Sequence, residues 1–83
     1  MAMKRAAYID RIVVDPRVLA GKPVIRGTRI PVTVILNLLE HGYDFARIVD
    51  AYPDLTAEDI RAAIHYSRAR IDREDVRLFE QPV

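Results

Sequence analysis

The sequence predicts a mostly α-helical domain in which a short N-terminal β-hairpin precedes a compact unit of three helices. Two observations carry this prediction. β-Branched residues and two glycines dominate residues 9–31, whereas apolar residues recur at helical spacing in three segments of residues 32–71. A chain of 83 residues forms one domain, so we expect residues 1–71 to fold together and residues 72–83 to form a C-terminal tail.

The N-terminal region, residues 9–31, is expected to form an irregular hairpin. Residues 9–14 are a strand candidate that ends at the turn signal Asp15-Pro16. Gly21 and Gly27 are expected at positions where a Cβ atom would not be tolerated.

The first helix is expected to begin near Pro31 or Val32, because proline lacks an N–H that would have no partner in the first turn. His41 and Gly42 provide a typical helix end. One buried stripe follows the i, i+3, i+4, i+7 spacing: Val32, Ile35, Leu36 and Leu39.

The second helix is short, with Asp44 as its N-cap and Pro53 at its end. Its apolar stripe consists of Phe45, Ile48, Val49 and Tyr52. Thr56 is the expected cap of the third helix, with Asp59 where a capping box prefers Glu or Gln. The inner stripe of that helix is predicted to be Ile60, Ala63, Ile64, Ser67 and Ile71. The last two helices could therefore form a helix-turn-helix.

Charge is segregated along the chain, although the net charge is only +1. Residues 1–31 carry seven bases and two acids, whereas residues 32–60 carry one base and six acids. This distribution predicts one basic and one acidic face.

Several classes of protein are disfavoured by the composition. The chain has no cysteine and only two histidines, His41 and His65, and each has a plain structural role at a helix end or on a helix surface. We therefore predict no enzymatic activity, no cofactor and no metal site. The longest apolar segment, residues 30–39, is too short and too polar to cross a membrane. We expect a soluble cytoplasmic protein, and the 51% hydrophobic content favours a homodimer.

Two segments, DPRVLAGKPVIRGTRIPV and LLEHGYDFARIVDAYPDLTAEDIRAAIHY, resemble a widespread bacterial family known as domain of unknown function 433. The resemblance runs from about residue 12 to residue 66. It implies a homeodomain-like fold with a short β element before the helices. It also implies an antitoxin-like regulator that binds a co-encoded ribonuclease toxin of the PIN type, and it supplies no catalytic residue.

The densest basic segment, residues 21–32, is the first candidate for DNA binding. Arginine and lysine side chains there could contact phosphates, with Thr28 adding a hydrogen bond. The alternative is that Arg26 and Arg29 pair with acids of the chain's own helices, such as Asp50 or Asp54. The third helix is the weaker candidate for contact with DNA bases, because Glu58 and Asp59 lie in its first turn. The complete set of DNA-binding candidates is Arg17, Lys22, Arg26, Thr28, Arg29, Arg61 and Arg68.

The charged, partly apolar tail is the candidate surface for the toxin. PIN-type nucleases gather carboxylates around a divalent metal, and an arginine of the tail could bind to these carboxylates and block the site. The alternative is that the tail is a solvated helix end that binds no partner. The toxin-binding candidates are Arg73, Arg77, Leu78 and Phe79.

The leading hypothesis is an antitoxin-like regulator that neutralises a PIN-type ribonuclease and binds operator DNA as a dimer. The competing hypothesis is a homodimeric protein-interaction module that does not bind DNA.

Overall fold

The computed structural model describes residues 10–80 of the chain, and the side chains of residues 10–73. Two strands, β1 (Ile12–Val13) and β2 (Val24–Ile25), precede three helices. The helices are α1 (Val32–Glu40), α2 (Phe45–Ala51) and α3 (Ala57–Glu80). A short hairpin followed by three helices confirms the predicted fold class.

The two strands pair antiparallel, with Ile12 opposite Ile25 and Val13 opposite Val24. The first strand is shorter than residues 9–14, because pairing begins only at Ile12 in the described part of the chain. β2 also meets the segment that enters α1 through a bridge between Val24 and Pro31. β2 therefore has backbone neighbours on both sides, and both of its residues are buried.

The long loop between the strands contains a tight turn at Leu19–Gly21. Leu19 and Ala20 both adopt positive φ, at +49° and +57°. This left-handed conformation is costly for residues that carry a Cβ atom. The sequence carries no glycine or asparagine at either position that would have indicated it.

Each helix begins or ends on a local signal that the sequence contains. Pro31 immediately precedes α1, and the Asp44 carboxylate accepts a 2.8 Å hydrogen bond from the Arg47 N–H at the start of α2. At the end of α1, Gly42 N–H donates to Leu39 O and Tyr43 N–H donates to Leu38 O. Those two bonds form a Schellman motif, which requires the positive φ of +90° that Gly42 adopts.

The core lies where β2 and the three helices meet. Its largest fully buried side chains are Ile25, Ile35, Ile48, Leu55 and Ile60. The predicted inner stripe of α3 is correct at Ile60 and Ala63, but wrong at Ile64 and Ile71, which are 36% and 53% exposed. Ile64 lies at the edge of the buried face of α3, which is centred on Asp59, Ala62 and Ala63. Ile71 lies where α3 continues past the body of the domain, in a stretch whose residues 68–73 are all exposed.

Candidate functional site

The residues Arg26-Gly27-Thr28-Arg29, hereafter the basic turn, form a tight reversal between β2 and the segment that enters α1. Thr28 N–H donates to Ile25 O at 3.0 Å, and Ile25 N–H donates to Ile30 O at 3.0 Å. Gly27 has φ of +80°, as the third position of a type II turn requires. A Cβ atom at Gly27 would meet nothing within 4 Å, so the backbone conformation and not crowding accounts for this glycine.

Thr28 stabilises the basic turn from within. Its hydroxyl donates to Ile25 O at 2.8 Å and accepts from Ile30 N–H at 3.0 Å. Thr28 was predicted as a phosphate contact. Its hydroxyl is engaged in two internal hydrogen bonds, and these fix the backbone between the two arginines.

Arg26 and Arg29 are exposed. Arg26 Nε donates to Asp10 O, and the Arg26 N–H donates to Arg11 O at 2.8 Å. Among residues 10–73, neither arginine of the basic turn pairs with a carboxylate. The internal pairing with Asp50 or Asp54 is therefore not observed within that part of the chain. The guanidinium groups of the basic turn therefore keep N–H donors that no described carboxylate accepts.

A different ion pair joins the hairpin to the helices. Arg11 Nη1 lies 2.9 Å from Asp59 Oδ1, and Asp59 is only 7% exposed. Asp59 Oδ2 accepts from Thr56 N–H at 3.0 Å, and Thr56 Oγ1 accepts from Asp59 N–H at 3.2 Å. This is a capping box with aspartate in place of the usual glutamate. We call Arg11, Thr56 and Asp59 the clamp.

The clamp supports the basic turn, because the carbonyl of Arg11 accepts the backbone N–H of Arg26. Sequence reasoning did not select Arg11. The available signal was weak: a lone arginine next to a strand, 48 residues from the aspartate that it contacts.

The other basic candidates in the N-terminal half differ in how they are held. The Arg17 guanidinium donates to both carboxylate oxygens of Asp15, from Nε to Oδ1 and from Nη2 to Oδ2, each at 3.1 Å. The Arg17 side chain is 89% exposed. Hydrogen bonds from the Arg17 side chain and from its backbone lower the pKa of Asp15 below its ordinary value of 3.8. Lys22 is exposed and pairs with no acid among the described side chains.

The arginines of α3 lie elsewhere. Arg61 pairs with Glu58 at 3.2 Å and lies 5.5 Å from the ring centre of Phe45 on α2. Arg68 pairs with Asp72 at 3.3 Å. It lies nine residues after Asp59, or about 13 Å further along the helix axis, and so away from the clamp and the basic turn. Both ion pairs are exposed, and such pairs contribute little to stability.

The toxin-binding candidates are only partly described. Arg73 is exposed on α3. Arg77, Leu78 and Phe79 belong to the same helix, but their side chains lie outside the described residues. No helix in the described range is both long enough and apolar enough to cross a membrane.

Two uncharacterised proteins are similar in sequence to this chain. The protein y4eO of Sinorhizobium fredii (strain NBRC 101917 / NGR234) is 38% identical over 74 residues, which is 89% of this chain and 34% of that protein. A protein of Archaeoglobus fulgidus is 67% identical over 24 residues, which is 29% of this chain and 67% of its own length. The chain thus spans about a third of the Sinorhizobium protein.

The fold has a solved counterpart. The crystal structure of a DUF433 member protein from Anabaena variabilis ATCC 29413 matches with a TM-score of 0.70 and 31% sequence identity, over 95% of this chain and 83% of that one. Residues 12–67 match the family model described as "Protein of unknown function (DUF433)". The matched range contains the basic turn and two residues of the clamp, Thr56 and Asp59, and the chain therefore belongs to the DUF433 family.

Proposed function

We propose that this protein is an antitoxin-like regulator that binds operator DNA through the basic turn, as a dimer, and neutralises a PIN-type ribonuclease encoded beside it. One observation carries the DNA-binding part. Arg26 and Arg29 flank a rigid turn, are exposed, and pair with no carboxylate among residues 10–73.

The chemistry of the basic turn suits phosphate groups. A guanidinium presents several N–H donors in a planar fork that matches the geometry of phosphate oxygens. Among residues 10–73, the Arg26 side chain makes one hydrogen bond, from Nε to Asp10 O, so its terminal nitrogens remain available to a ligand. Because Thr28 and the backbone bonds already fix the turn, little conformational entropy is lost when it binds.

The start of α3 is a poorer reader of DNA. Its first turn presents Glu58 to solvent, and a carboxylate near phosphates is repelled. Asp59 is turned inward to Arg11. Arg61, the first arginine of α3, is held by Glu58 and lies near Phe45. These contacts favour the basic turn over the helix-turn-helix as the DNA-contacting element.

The ribonuclease part rests on the family resemblance and on the C-terminal half of α3. Residues 68–73 are all exposed, so this stretch is available to a partner. Arg73 lies within it and is a candidate for the carboxylates of a metal-dependent nuclease. Deletion of residues 72–83 should abolish inhibition of the neighbouring nuclease, while the circular dichroism of the folded body remains. Inhibition by the truncated protein would exclude this surface.

DNA binding is tested with a duplex that carries the protein's own upstream region, by fluorescence anisotropy. The variant Arg26→Ala/Arg29→Ala should bind more weakly, on the order of thirtyfold, if each contact contributes about 1 kcal/mol. The matched control is Arg47→Ala/Arg70→Ala, which removes the same charge from side chains that stack on Tyr43 and Tyr66. Equal losses in both variants would show that only net charge matters and would reject the basic turn as the site.

The second candidate function, a protein-interaction module without DNA contact, is favoured by one feature. Glu40, Asp50 and Asp54 are exposed and pair with no cation among the described side chains. Wild-type protein that fails to bind any duplex, yet forms a dimer whose affinity falls steeply with added salt, would favour this function.

A further inference from the structure

Helix α1 leaves part of its apolar surface exposed beside its polar face. Six of its nine residues are Val, Ile or Leu, and the exposed polar face consists of Thr33, Asn37 and Glu40. Only Val32 and Ile35 are buried here. Four others keep part of their surface exposed: Val34, Leu36, Leu38 and Leu39. Leu36, Leu38 and Leu39 also pack against the core, whereas Val34 does not belong to that cluster, so Val34 and the exposed part of Leu36 are the apolar surface that borders the polar face.

A shallow hollow of about 500 Å³ lies on this helix. Val34 and Leu36 supply its apolar lining, Thr33 and Asn37 supply polar groups, and Glu40 supplies a carboxylate. Glu40 is exposed and pairs with no cation among the described side chains. The hollow thus suits an apolar side chain accompanied by a positive charge.

The chain also carries a surface of the opposite character. In residues 64–73 of α3, hereafter the α3 arm, Ile64 and Ile71 are 36% and 53% exposed. They are seven residues apart and so lie on one face of the helix, with Arg68 between them. The α3 arm contains three arginines and one aspartate. Its face therefore combines exposed isoleucine with net positive charge.

We propose that a second copy of this chain occupies the hollow, with the α3 arm of each copy packed on α1 of the other. Ile71 would enter between Val34 and Leu36, and Arg68, which lies on the same face of the arm, would approach Glu40. A two-fold axis makes this contact twice, because each copy contributes one hollow and one arm. Apolar contact with opposite charges at the edge is the usual composition of such interfaces. The contact does not involve the basic turn and is independent of what that turn binds.

The absence of cysteine from the chain makes a direct test possible. Asn37→Cys protein and Ile71→Cys protein are prepared separately, mixed, and oxidised under mild conditions. A disulfide forms only where Cβ atoms come within about 4.5 Å. The proposal predicts a mixed cross-link between the two variants. Val14→Cys serves as the control, because Val14 is 55% exposed and lies outside both surfaces, and it should not cross-link to Asn37→Cys.

Sedimentation of full-length protein completes the test. Wild type and Val14→Asp should be dimeric, whereas Ile71→Asp should be monomeric with an unchanged helical circular dichroism signal. Three results would overturn the proposal. The first is monomeric wild type. The second is a dimer that Ile71→Asp leaves intact. The third is a disulfide that forms only between two copies of the Ile71→Cys protein, which would indicate that α3 of one copy packs against α3 of the other.

Discussion

Replacing Asp59 with alanine removes the centre of the clamp. The variant loses the 2.9 Å ion pair with Arg11 and the 3.0 Å hydrogen bond from Thr56 N–H. Thr56 Oγ1 can still accept from the backbone N–H of residue 59, so half of the capping box remains. The change is confined to two interactions whose magnitudes can be estimated separately.

The capping bond contributes about 1 kcal/mol, a typical value for a helix N-terminus. A hydrogen bond to a charged group contributes about 1.5–3 kcal/mol when it is buried. The Arg11 side chain is 38% exposed, which places this bond near the lower end of that range. Asp59→Ala should therefore lower the free energy of unfolding by about 2–3 kcal/mol. For a domain of this size the melting temperature should fall on the order of 10–20 °C.

The assay is urea unfolding followed by circular dichroism at 222 nm, with Glu58→Ala as the matched control. Glu58 precedes Asp59, and its replacement with alanine removes the same charge. Its side chain pairs with Arg61 and is about half exposed. The control should change the unfolding free energy by no more than about 0.5 kcal/mol. Equal, small effects of the two variants would refute the view that the clamp joins the hairpin to α3.

Three further experiments test other parts of the structure. Ile48→Ala should lower the free energy of unfolding in urea by about 2–5 kcal/mol, because Ile48 is fully buried. The control Ile71→Ala should lower the free energy of unfolding of the monomeric protein much less. Gly27→Ala should cost about 1–2 kcal/mol from its positive φ alone, and a neutral result would contradict the turn geometry. Asp15→Asn should remove the contribution of the Asp15 carboxylate to the free energy of unfolding. In wild type this contribution is constant above about pH 4 and disappears as the pH falls through the lowered pKa of Asp15. A difference between wild type and this variant that persists at low pH would contradict the assigned Arg17 contact.

Much of the helical part was predictable because its signals are local. Asp44 and Gly42 act within one or two turns of the residues that they affect, so spacing along the sequence is sufficient to locate them. The burial of Ile35 and Ile48 follows from the same short-range periodicity.

The remaining features depend on contacts between distant residues or on conformations that the residue types do not encode. The pairing of Arg11 with Asp59 joins residues 48 apart. The left-handed Leu19 and Ala20 carry no glycine signal. Ile71 keeps helical core spacing but lies beyond the body, and spacing alone cannot reveal where the neighbouring elements end.

For the basic turn, the residue types predicted a cationic site, and Gly27 has the positive φ of a turn glycine. The internal hydrogen bonds of Thr28 were not predicted, because Thr28 was assigned to phosphate contact. Whether Arg26 and Arg29 would pair internally could not be predicted. Acidic helices were available in the sequence, and only the three-dimensional arrangement determines that Asp59 faces Arg11 instead.

The most direct test of the central claim, that Arg26 and Arg29 contact phosphates, is the salt dependence of DNA binding. The logarithm of the association constant falls with the logarithm of salt concentration by about 0.9 for each phosphate contact. For Arg26→Ala/Arg29→Ala the slope should be shallower than that of wild type by about 1.8, whereas Arg47→Ala/Arg70→Ala should retain the wild-type slope. A slope unchanged in the Arg26→Ala/Arg29→Ala variant would contradict the account.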